Sequence, residues 1–283
     1  MTPPVDVRTN QPFKLGCKKD KIDHRDYKLT RPVAVQLPPS IDYTNKMTIV
    51  HDQGAEGSCV GFACVDGMKD YQEKKEHKTM DPLSVRYVYW NAKQIDGDPD
   101  EEGTEIRCAM KILLDKGVCP ESCWPYIPNK NGTPCDRADK FAVPYQIERY
   151  VRLETQQEMK ESLVINGPFV AGILCFDGIF DASKGVVPMP KDDEQASGGH
   201  AICVVGYDDT KKQFKFKNSW GCLWGDAGYG YLSYDYAEKY LMDAWSAFDK
   251  LNDPPVPKPT PWERLLQWFK VVFGRNKPNV TIA

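Results

Sequence analysis

The chain has 283 residues, of which 41% are hydrophobic and 11% aromatic, and it carries 37 basic against 40 acidic side chains. This apolar content excludes a wholly disordered chain, and the length allows one large domain or two small ones. A net charge of −3 without blocks of like charge argues against nucleic acid as a partner. No apolar run reaches the ~18 residues of a membrane-spanning helix, and the first residues lack the basic and apolar regions of a secretory signal. Localisation therefore stays open.

Composition divides the chain into four parts. Residues 1–36 are polar and basic without apolar periodicity, so we predict an N-terminal arm. Residues 37–250 have a globular composition, residues 251–261 form a proline-rich linker, and residues 262–283 are predicted to be an amphipathic helix and tail. The simpler interpretation of residues 262–273 is a helix docked on the protein's own surface. The alternative is contact with a partner or a membrane interface, which suits an amphipathic helix with two Trp and a basic tip.

Within the globular part, the hydrophobic pattern changes from helical to strand-like. Helices with start or stop signals are predicted over residues 59–77, 84–94, 104–116 and 155–167. Apolar or alternating runs between turn residues predict strands over residues 169–175, 201–207, 213–217 and 228–234. A helical first half and a strand-rich second half predict an α+β fold of two subdomains with a cleft between them.

Cys59 has the surroundings of a nucleophile. Ser58 is a predicted N-cap, which would put the thiol in the first turn of a helix, where the dipole lowers a thiol pKa. Gly54 and Gly57 would allow a substrate backbone to approach, and Gln53 could donate an amide N–H to a developing oxyanion. A lone cysteine at a helix start is nevertheless more often a small core residue, so the assignment needs partners.

A nucleophilic thiolate needs a base, and the chain offers four histidines. His24 and His77 lie in charged, polar segments. His51 is close to the oxyanion donor in sequence and competes with His200, which follows two glycines and opens an apolar strand. Asn218, at the end of the paired strand, suits the group that would orient the base.

Three sequence blocks resemble the signature blocks of the papain family of cysteine peptidases. They are QGAEGSCVGFA, GGHAICVVGYDD and KNSWGCLWGDAGYGYL, in the order Cys, His, Asn. The resemblance covers residues 37–250. It implies a helical left lobe and a β-barrel right lobe with the active site in the cleft between them. It also implies a cysteine endopeptidase that hydrolyses protein or peptide substrates through an acyl-enzyme and needs no cofactor.

The resemblance gives each matching residue a role. Cys59 is implied to be the nucleophile and His200 its imidazolium partner. Asn218 would orient His200, and Gln53 with the Cys59 backbone N–H would form the oxyanion hole. The residues implied to line or shield the peptide-binding cleft are Gly57, Gly103, Gly199, Trp220 and Trp224.

The sequence departs from the family pattern in several places. Glu56 stands where most members have a half-cystine, so that disulfide is absent, and its carboxylate is expected to favour basic groups in the pocket or to raise the thiol pKa. Val60 replaces the usual Trp after the nucleophile. The arm resembles the short N-terminal segment of bacterial members and suggests a latent enzyme whose cleft is covered by residues near 17–29. The alternative is a disordered tail.

Some questions stay open. A catalytically silent binding homologue and another Cys-His acyl transferase or amidase remain alternatives to a peptidase. The base of the second substrate subsite is expected near residues 242–244. Among ten cysteines, Cys119 and Cys123 lack a matching second pair, so no metal site is predicted. Cys64 and Cys203 are expected to be free core thiols, and the disulfides are unassigned.

Overall fold

The computed structural model describes residues 5–6, 11–29, 35–77 and 81–250. The predicted linker and amphipathic helix of residues 251–283 lie outside the described residues. In the ranges that are described, no helix combines the length and the apolar character that a membrane crossing requires.

Helices dominate the first half of the chain, and two more lie in the second half. The bounds of the described α-helices are α1 Cys59–Phe62, α2 Asp70–Glu76, α3 Val85–Lys93, α4 Ile106–Asp115, α5 Ala138–Ala142, α6 Gln156–Ile165 and α7 Tyr234–Tyr240. A π-helix over Ala63–Lys69 joins α1 to α2, so the predicted first helix is continuous but changes its winding.

Strands dominate the second half. Short strands come first, namely β1 Val5–Asp6, β2 Gln11–Pro12, β3 Cys17–Lys18, β4 Ser40–Asp42 and β5 Thr104–Glu105. The longer strands are β6 Ile147–Arg152, β7 Phe169–Cys175, β8 Gly198–Asp208, β9 Gln213–Lys217, β10 Tyr229–Ser233 and β11 Leu241–Asp249. The longer strands form one antiparallel sheet in the order β10-β9-β8-β7-β11-β6, and β4 pairs with β8.

Each half of the molecule packs around its own hydrophobic core. One core lies between the helices and one face of the sheet and includes Met68 and Leu113. The other lies on the opposite face of the sheet under α6 and α7 and includes Leu163 and Tyr236. The predicted α+β architecture of two lobes is confirmed.

Local sequence signals fix some helix starts and miss others. Thr155 and Glu158 form the predicted capping box at α6. Ser58 stands at the predicted N-cap position of α1, but its hydroxyl bonds the Tyr126 hydroxyl at 2.6 Å and makes no cap hydrogen bond. The predicted helix from residue 104 begins two residues late, since Thr104 and Glu105 pair as a strand with Cys17 and Lys18.

The two lobes meet tightly beneath the cleft. A Cβ placed on Gly67, in the π-helix, would lie 2.4 Å from the Cβ of Cys203 in β8, so only glycine fits there. Beside this contact, the Nζ of Lys217 at the end of β9 lies 2.9 Å from a carboxylate oxygen of Asp66, and both side chains are buried. A close backbone approach and a buried ion pair therefore join the helical segment that begins at Cys59 to the sheet.

Candidate active site

Helix α1 and the strands β8 and β9 bring Cys59, His200 and Asn218 together. Cys59 begins α1, His200 lies near the start of β8, and Asn218 directly follows β9. The backbone N–H of Ala201 donates to the Cys59 Sγ at 3.4 Å, which places the sulfur beside the residue after His200. All three side chains are buried. The three motifs, which are separate in the sequence, thus form one cluster in space.

Asn218 and Trp220 orient the imidazole of His200. The His200 Nε2 lies 2.7 Å from the Asn218 Oδ1, which also accepts from the Ser219 backbone N–H at 2.8 Å. Because a side-chain amide oxygen only accepts, Nε2 carries the proton in the neutral ring and Nδ1 has the free lone pair. Among the described residues, Nδ1 has no hydrogen-bond partner. The Trp220 ring stacks on the imidazole with 4.4 Å between ring centroids.

Gln53 is held with its amide N–H₂ in the cleft. Its Nε2 donates to the Glu56 main-chain oxygen at 2.8 Å, and its Oε1 accepts from the Ser219 hydroxyl at 2.6 Å. The same Nε2 also donates to the main-chain oxygen of Lys14 at 3.1 Å. The Gln53 amide is therefore already bonded to a carbonyl oxygen of the arm.

His51, the competing base, is not part of this cluster. Its Nδ1 lies 2.7 Å from the Asp66 carboxylate. The hydrogen bond to Asp66 raises the pKa of His51, against burial, which lowers it. This contact assigns His51 to the buried charge cluster between the lobes and leaves His200 as the base candidate.

Burial holds both members of the candidate pair in their neutral forms. It raises the pKa of Cys59 to about 11, although backbone N–H groups of Ala201 and Gly16 bond the sulfur and lower it. Burial also lowers the pKa of His200 to about 4, against the hydrogen bond to Asn218. The lowered thiol pKa predicted from the helix start is wrong for this state of the molecule, because the arm covers the site.

Backbone of the arm runs through the cleft between the predicted glycines. The Gly16 N–H donates to the Gly199 oxygen at 3.0 Å, and the Gly16 oxygen accepts from the Thr104 N–H at 2.9 Å. A Cβ on Gly103 would lie 2.4 Å from the Gly16 oxygen, and a Cβ on Gly199 would lie 2.1 Å from the Cys17 oxygen. Peptide backbone therefore fits between these glycines only because they lack side chains.

Gly57 and Trp220 also contact the arm, and Trp224 packs against Trp220. A Cβ on Gly57 would lie 3.2 Å from the Leu15 oxygen. The Phe13 ring packs on Trp220 with a centroid distance of 4.9 Å. Trp224 packs edge-on against Trp220 and donates its Nε1 to the Ile179 oxygen at 3.1 Å. Trp224 thus supports Trp220 from behind.

Acidic residues of the arm dock into a basic pocket of the lobes. The Asp20 carboxylate accepts from the Arg107 backbone N–H at 3.1 Å and from the Trp245 Nε1 at 2.5 Å, and the Asp20 N–H donates to Asp243 at 2.8 Å. Asp26 receives hydrogen bonds from Arg107 at 2.6 Å and from Arg152 at 3.2 Å. These contacts anchor the arm beyond the catalytic cluster.

Met242, in the segment expected to form the base of the second subsite, lies beside the arm. Its Sδ would lie 3.1 Å from a Cβ on Gly199, and its Cβ would lie 3.7 Å from a Cβ on Gly172. The Cys17 Sγ is 2.9 Å from that same position on Gly172. The Cys17 side chain therefore sits in the space next to Met242.

The structure gives Glu56 and two of the cysteines side-chain partners that the sequence did not assign. The Glu56 carboxylate is buried and accepts two hydrogen bonds from Arg86, at 2.7 and 2.6 Å. Its charge is thus paired by an arginine, and its carboxylate is not directed at the thiol. Cys123 forms a disulfide with Cys135. Cys64 and Cys203 are free and buried, as predicted.

Sequence reasoning missed the supporting residues of the site. Arg86 lies in α3, thirty positions after its partner Glu56, and Asp66 lies in a helix that the pattern treats as core. The available signal was charge in an apolar context, since a buried Arg or Asp in a helix needs a partner of opposite charge. The identity of that partner depends on tertiary contacts.

Comparisons with known proteins fit this geometry. The family profile of papain family cysteine proteases matches residues 37–246, so the chain belongs to the papain family. An uncharacterized peptidase C1-like protein of Acanthamoeba polyphaga mimivirus is 30% identical over 269 residues, which cover 89% of this chain and 83% of that protein. Xylellain, a cysteine protease from Xylella fastidiosa, has a similar structure with a TM-score of 0.77 and 30% identity, covering 83% of this chain and 96% of xylellain.

Relatives with longer chains share the fold and the class. Cathepsin S of Rattus norvegicus is 27% identical over 201 residues, which cover 68% of this chain but 59% of the cathepsin. The proform of the ragweed pollen cysteine protease Amb a 11 has a TM-score of 0.64 at 23% identity, covering 77% of this chain and 67% of the proform. By family membership, the chain is a cysteine peptidase, a thiol hydrolase.

Proposed function

We propose that the chain is a latent cysteine endopeptidase in which Cys59 and His200 form the catalytic pair and the arm blocks the cleft. The observation that carries this proposal is the arm backbone bound between Cys59, Gln53 and Gly199. Proteins or peptides are the substrates, since the cleft already accepts an extended peptide. The proform known for the Amb a 11 protease supports latency as a property of related enzymes.

In the open enzyme, His200 Nδ1 takes the Cys59 proton and the thiolate attacks the scissile carbonyl carbon. The oxyanion then accepts hydrogen bonds from Gln53 Nε2 and the Cys59 backbone N–H. As the intermediate collapses to a thioester, the imidazolium returns its proton to the departing amine. Water activated by the neutral His200 hydrolyses the thioester. Asn218 holds the ring in the tautomer that this sequence needs.

The docked arm makes hydrogen bonds that a substrate would need. Gln53 Nε2 donates to the Lys14 oxygen, and the Gly16 N–H donates to the Gly199 oxygen. A substrate can therefore reach Gln53 and Gly199 only after the arm has left. Steric exclusion and neutral Cys59 and His200 side chains together account for latency.

The direct test compares the full-length chain with a form whose arm is cut off after folding at a protease site inserted between residues 30 and 36. We expect an epoxysuccinyl inhibitor to add its mass to Cys59 rapidly in the cut form and slowly in the intact form. Peptide-coumarin hydrolysis should follow the same order and vanish in Cys59→Ala. Absence of both labelling and hydrolysis in the reduced, cut form would refute the peptidase assignment.

The same assay separates the alternatives. A silent binding homologue would bind peptides without hydrolysing them. An acyl transferase or amidase would consume amide substrates but give acyl transfer to added amines in place of peptide cleavage. Equal activity of the cut and intact forms would leave a peptidase and remove the inhibitory role of the arm.

Ser219→Ala is expected to lower kcat by about fivefold with little change in KM. The substitution removes the hydroxyl that donates to Gln53 Oε1 at 2.6 Å, so the oxyanion donor loses one support. One such hydrogen bond contributes about 1 kcal/mol, which corresponds to about fivefold in rate. Steady-state kinetics of the cut form check it, with Ser197→Ala as the control because the Ser197 hydroxyl, among the described residues, bonds Asp177 and not Gln53. An unchanged kcat would contradict the expectation.

A further inference from the structure

A buried ion pair underlies the loop that carries the oxyanion donor. Arg86 is fully buried in α3, and its guanidinium makes two parallel hydrogen bonds to the Glu56 carboxylate at 2.7 and 2.6 Å. Glu56 lies in the loop between Gln53 and Cys59. Two buried opposite charges in fork geometry hold each other in one arrangement. This loop is tied to α3 by charge at the position where the papain resemblance leads one to expect a half-cystine.

The ion pair acts on Gln53 through the main chain of Glu56. The Glu56 oxygen accepts from Gln53 Nε2 at 2.8 Å and from the Ser58 N–H at 2.8 Å. The Glu56 carboxylate also accepts from the Asn129 N–H at 3.0 Å. Because its side chain is fixed at three points, the Glu56 peptide oxygen can hold the Gln53 amide in one direction.

A second connection runs from Arg86 to the backbone of Gln53. The guanidinium lies 4.7 Å from the centroid of the Tyr126 ring. The Tyr126 hydroxyl donates to the Gln53 oxygen at 2.8 Å and bonds the Ser58 hydroxyl at 2.6 Å. Arg86 also donates to the Ile127 oxygen at 2.8 Å. One arginine therefore supports both the side chain and the main chain of the oxyanion donor.

We propose that Arg86 is a positioning residue for the oxyanion hole and that it acts on Gln53 through Glu56 and Tyr126. In the covered state, Lys14 supplies a second acceptor for the Gln53 amide. When a substrate replaces the arm, only the Glu56 oxygen and the Ser219 hydroxyl remain to orient that amide. The inference rests on the proposed peptidase function, since it assigns a cause to the geometry of a catalytic donor.

The experiment is a double-mutant cycle in the cut, active-site-titrated enzyme, with Arg86→Met, Gln53→Ala and both together. We expect Arg86→Met to lower kcat on the order of 10- to 10²-fold, as small misplacements of catalytic groups do, with KM within about threefold of the parent. Arg86→Lys should restore part of the loss. In the Gln53→Ala background, Arg86→Met should change kcat by less than about threefold, because the donor that it positions is already gone.

Lys69→Met is the matched control for lost stability. Lys69 is also fully buried in the helical lobe and pairs with Glu73 and Asp249, but it does not contact Gln53 or its supports. We expect a comparable loss of Tm without a loss of kcat per titrated site. Equal kcat losses for Arg86→Met in both Gln53 backgrounds, or an equal kcat loss for Lys69→Met, would overturn the positioning role.

A conservative variant covers the case in which Arg86→Met does not fold. Tyr126→Phe keeps the aromatic ring and removes only the hydroxyl that reaches Gln53, so its cycle with Gln53→Ala asks the same question. We expect a loss of kcat that disappears in the Gln53→Ala background, and an additive loss would overturn the inference. If the parent hydrolyses peptides and loses activity in Gln53→Ala but not in the Arg86 or Tyr126 variants, the inference fails while the proposed function stands.

Discussion

Gly16→Val is expected to free the active site of the full-length chain and to raise its kcat/KM on a peptide substrate by about 10²-fold or more. A Cβ at this position would lie 2.0 Å from the Gly57 oxygen and 2.5 Å from the Gly57 carbonyl carbon, both in the backbone of the loop between Gln53 and Cys59. The arm and this loop cannot move apart without losing the contacts that dock the arm. An overpacking penalty of about 3 kcal/mol against docking corresponds to about 10² in the docking equilibrium.

The measurement is hydrolysis of a peptide-coumarin by the intact chain, with the mass checked at the end so that loss of the arm is excluded. Ile22→Ala is the matched control, because Ile22 lies in the same arm and is 86% exposed; its kcat/KM should equal that of the parent. Should Gly16→Val remain as inactive as the parent while the cut form is active, the arm would inhibit by some other contact.

The second large effect is a contribution of Asp20 to arm docking that is lost between about pH 4 and pH 7, and we expect Asp20→Asn to remove this contribution. Burial, followed by the nearby Asp243 carboxylate, raises the pKa of Asp20 from 3.8 to about 7 in the docked state. A carboxyl whose pKa is raised on docking favours the docked state when protonated. The Asp20 contribution is therefore fully present below the free pKa and is lost as the pH rises through the docked pKa. About three pKa units allow this contribution to change the docking equilibrium by up to about 10³-fold.

The Asp20 contribution is measured as a difference, because His200 also titrates with docking. Burial lowers the pKa of His200 from 6.5 to about 4 in the docked state, so His200 favours docking as the pH rises through this range. Arg107 and Arg152 hold Asp26 and Asp243 by hydrogen bonds. The pH profile of the parent relative to that of Asp20→Asn therefore reports Asp20.

Amide hydrogen exchange of residues 13–26 in the full-length Cys59→Ala chain measures docking directly, after correction for the intrinsic pH dependence of exchange. The ratio of arm protection in the parent to arm protection in Asp20→Asn should fall as the pH rises from about 4 to 7. Asp235→Asn, at an exposed carboxylate in the first turn of α7, serves as the control with the parent's profile. An equal pH dependence with and without the Asp20 carboxyl would assign the effect elsewhere.

The sequence predicted those features of the fold and of the site that depend on residues close together in the chain. The capping box of Thr155 and Glu158 acts within one turn of helix, and it is present. The ordered Cys, His and Asn blocks are likewise recognised from contiguous residues. Gly57 and Gly199 were predicted from the same blocks, because a close approach of two backbones requires a glycine.

Features made by distant contacts could not be read from the pattern. The π-helix over Ala63–Lys69 contains Gly67, which contacts Cys203 across the lobe interface. Thr104 and Glu105 become a strand only because the arm lies beside them. The pKa of Cys59 rises for the same reason, since the covering residues lie more than forty positions earlier in the chain. Each of these depends on a partner that sequence proximity does not reveal.

The contact between Gly67 and Cys203 and the Asp66–Lys217 ion pair oppose a hinge motion of the lobes. We therefore expect that a substrate does not enter beside the arm and that opening precedes binding, so that the off-rate of the arm limits the onset of activity. Because the arm is tethered, it also rebinds at a high effective concentration after each departure. Openings of an intact molecule would therefore occur at a frequency independent of substrate concentration, whereas the fraction of openings that leads to turnover would rise with it.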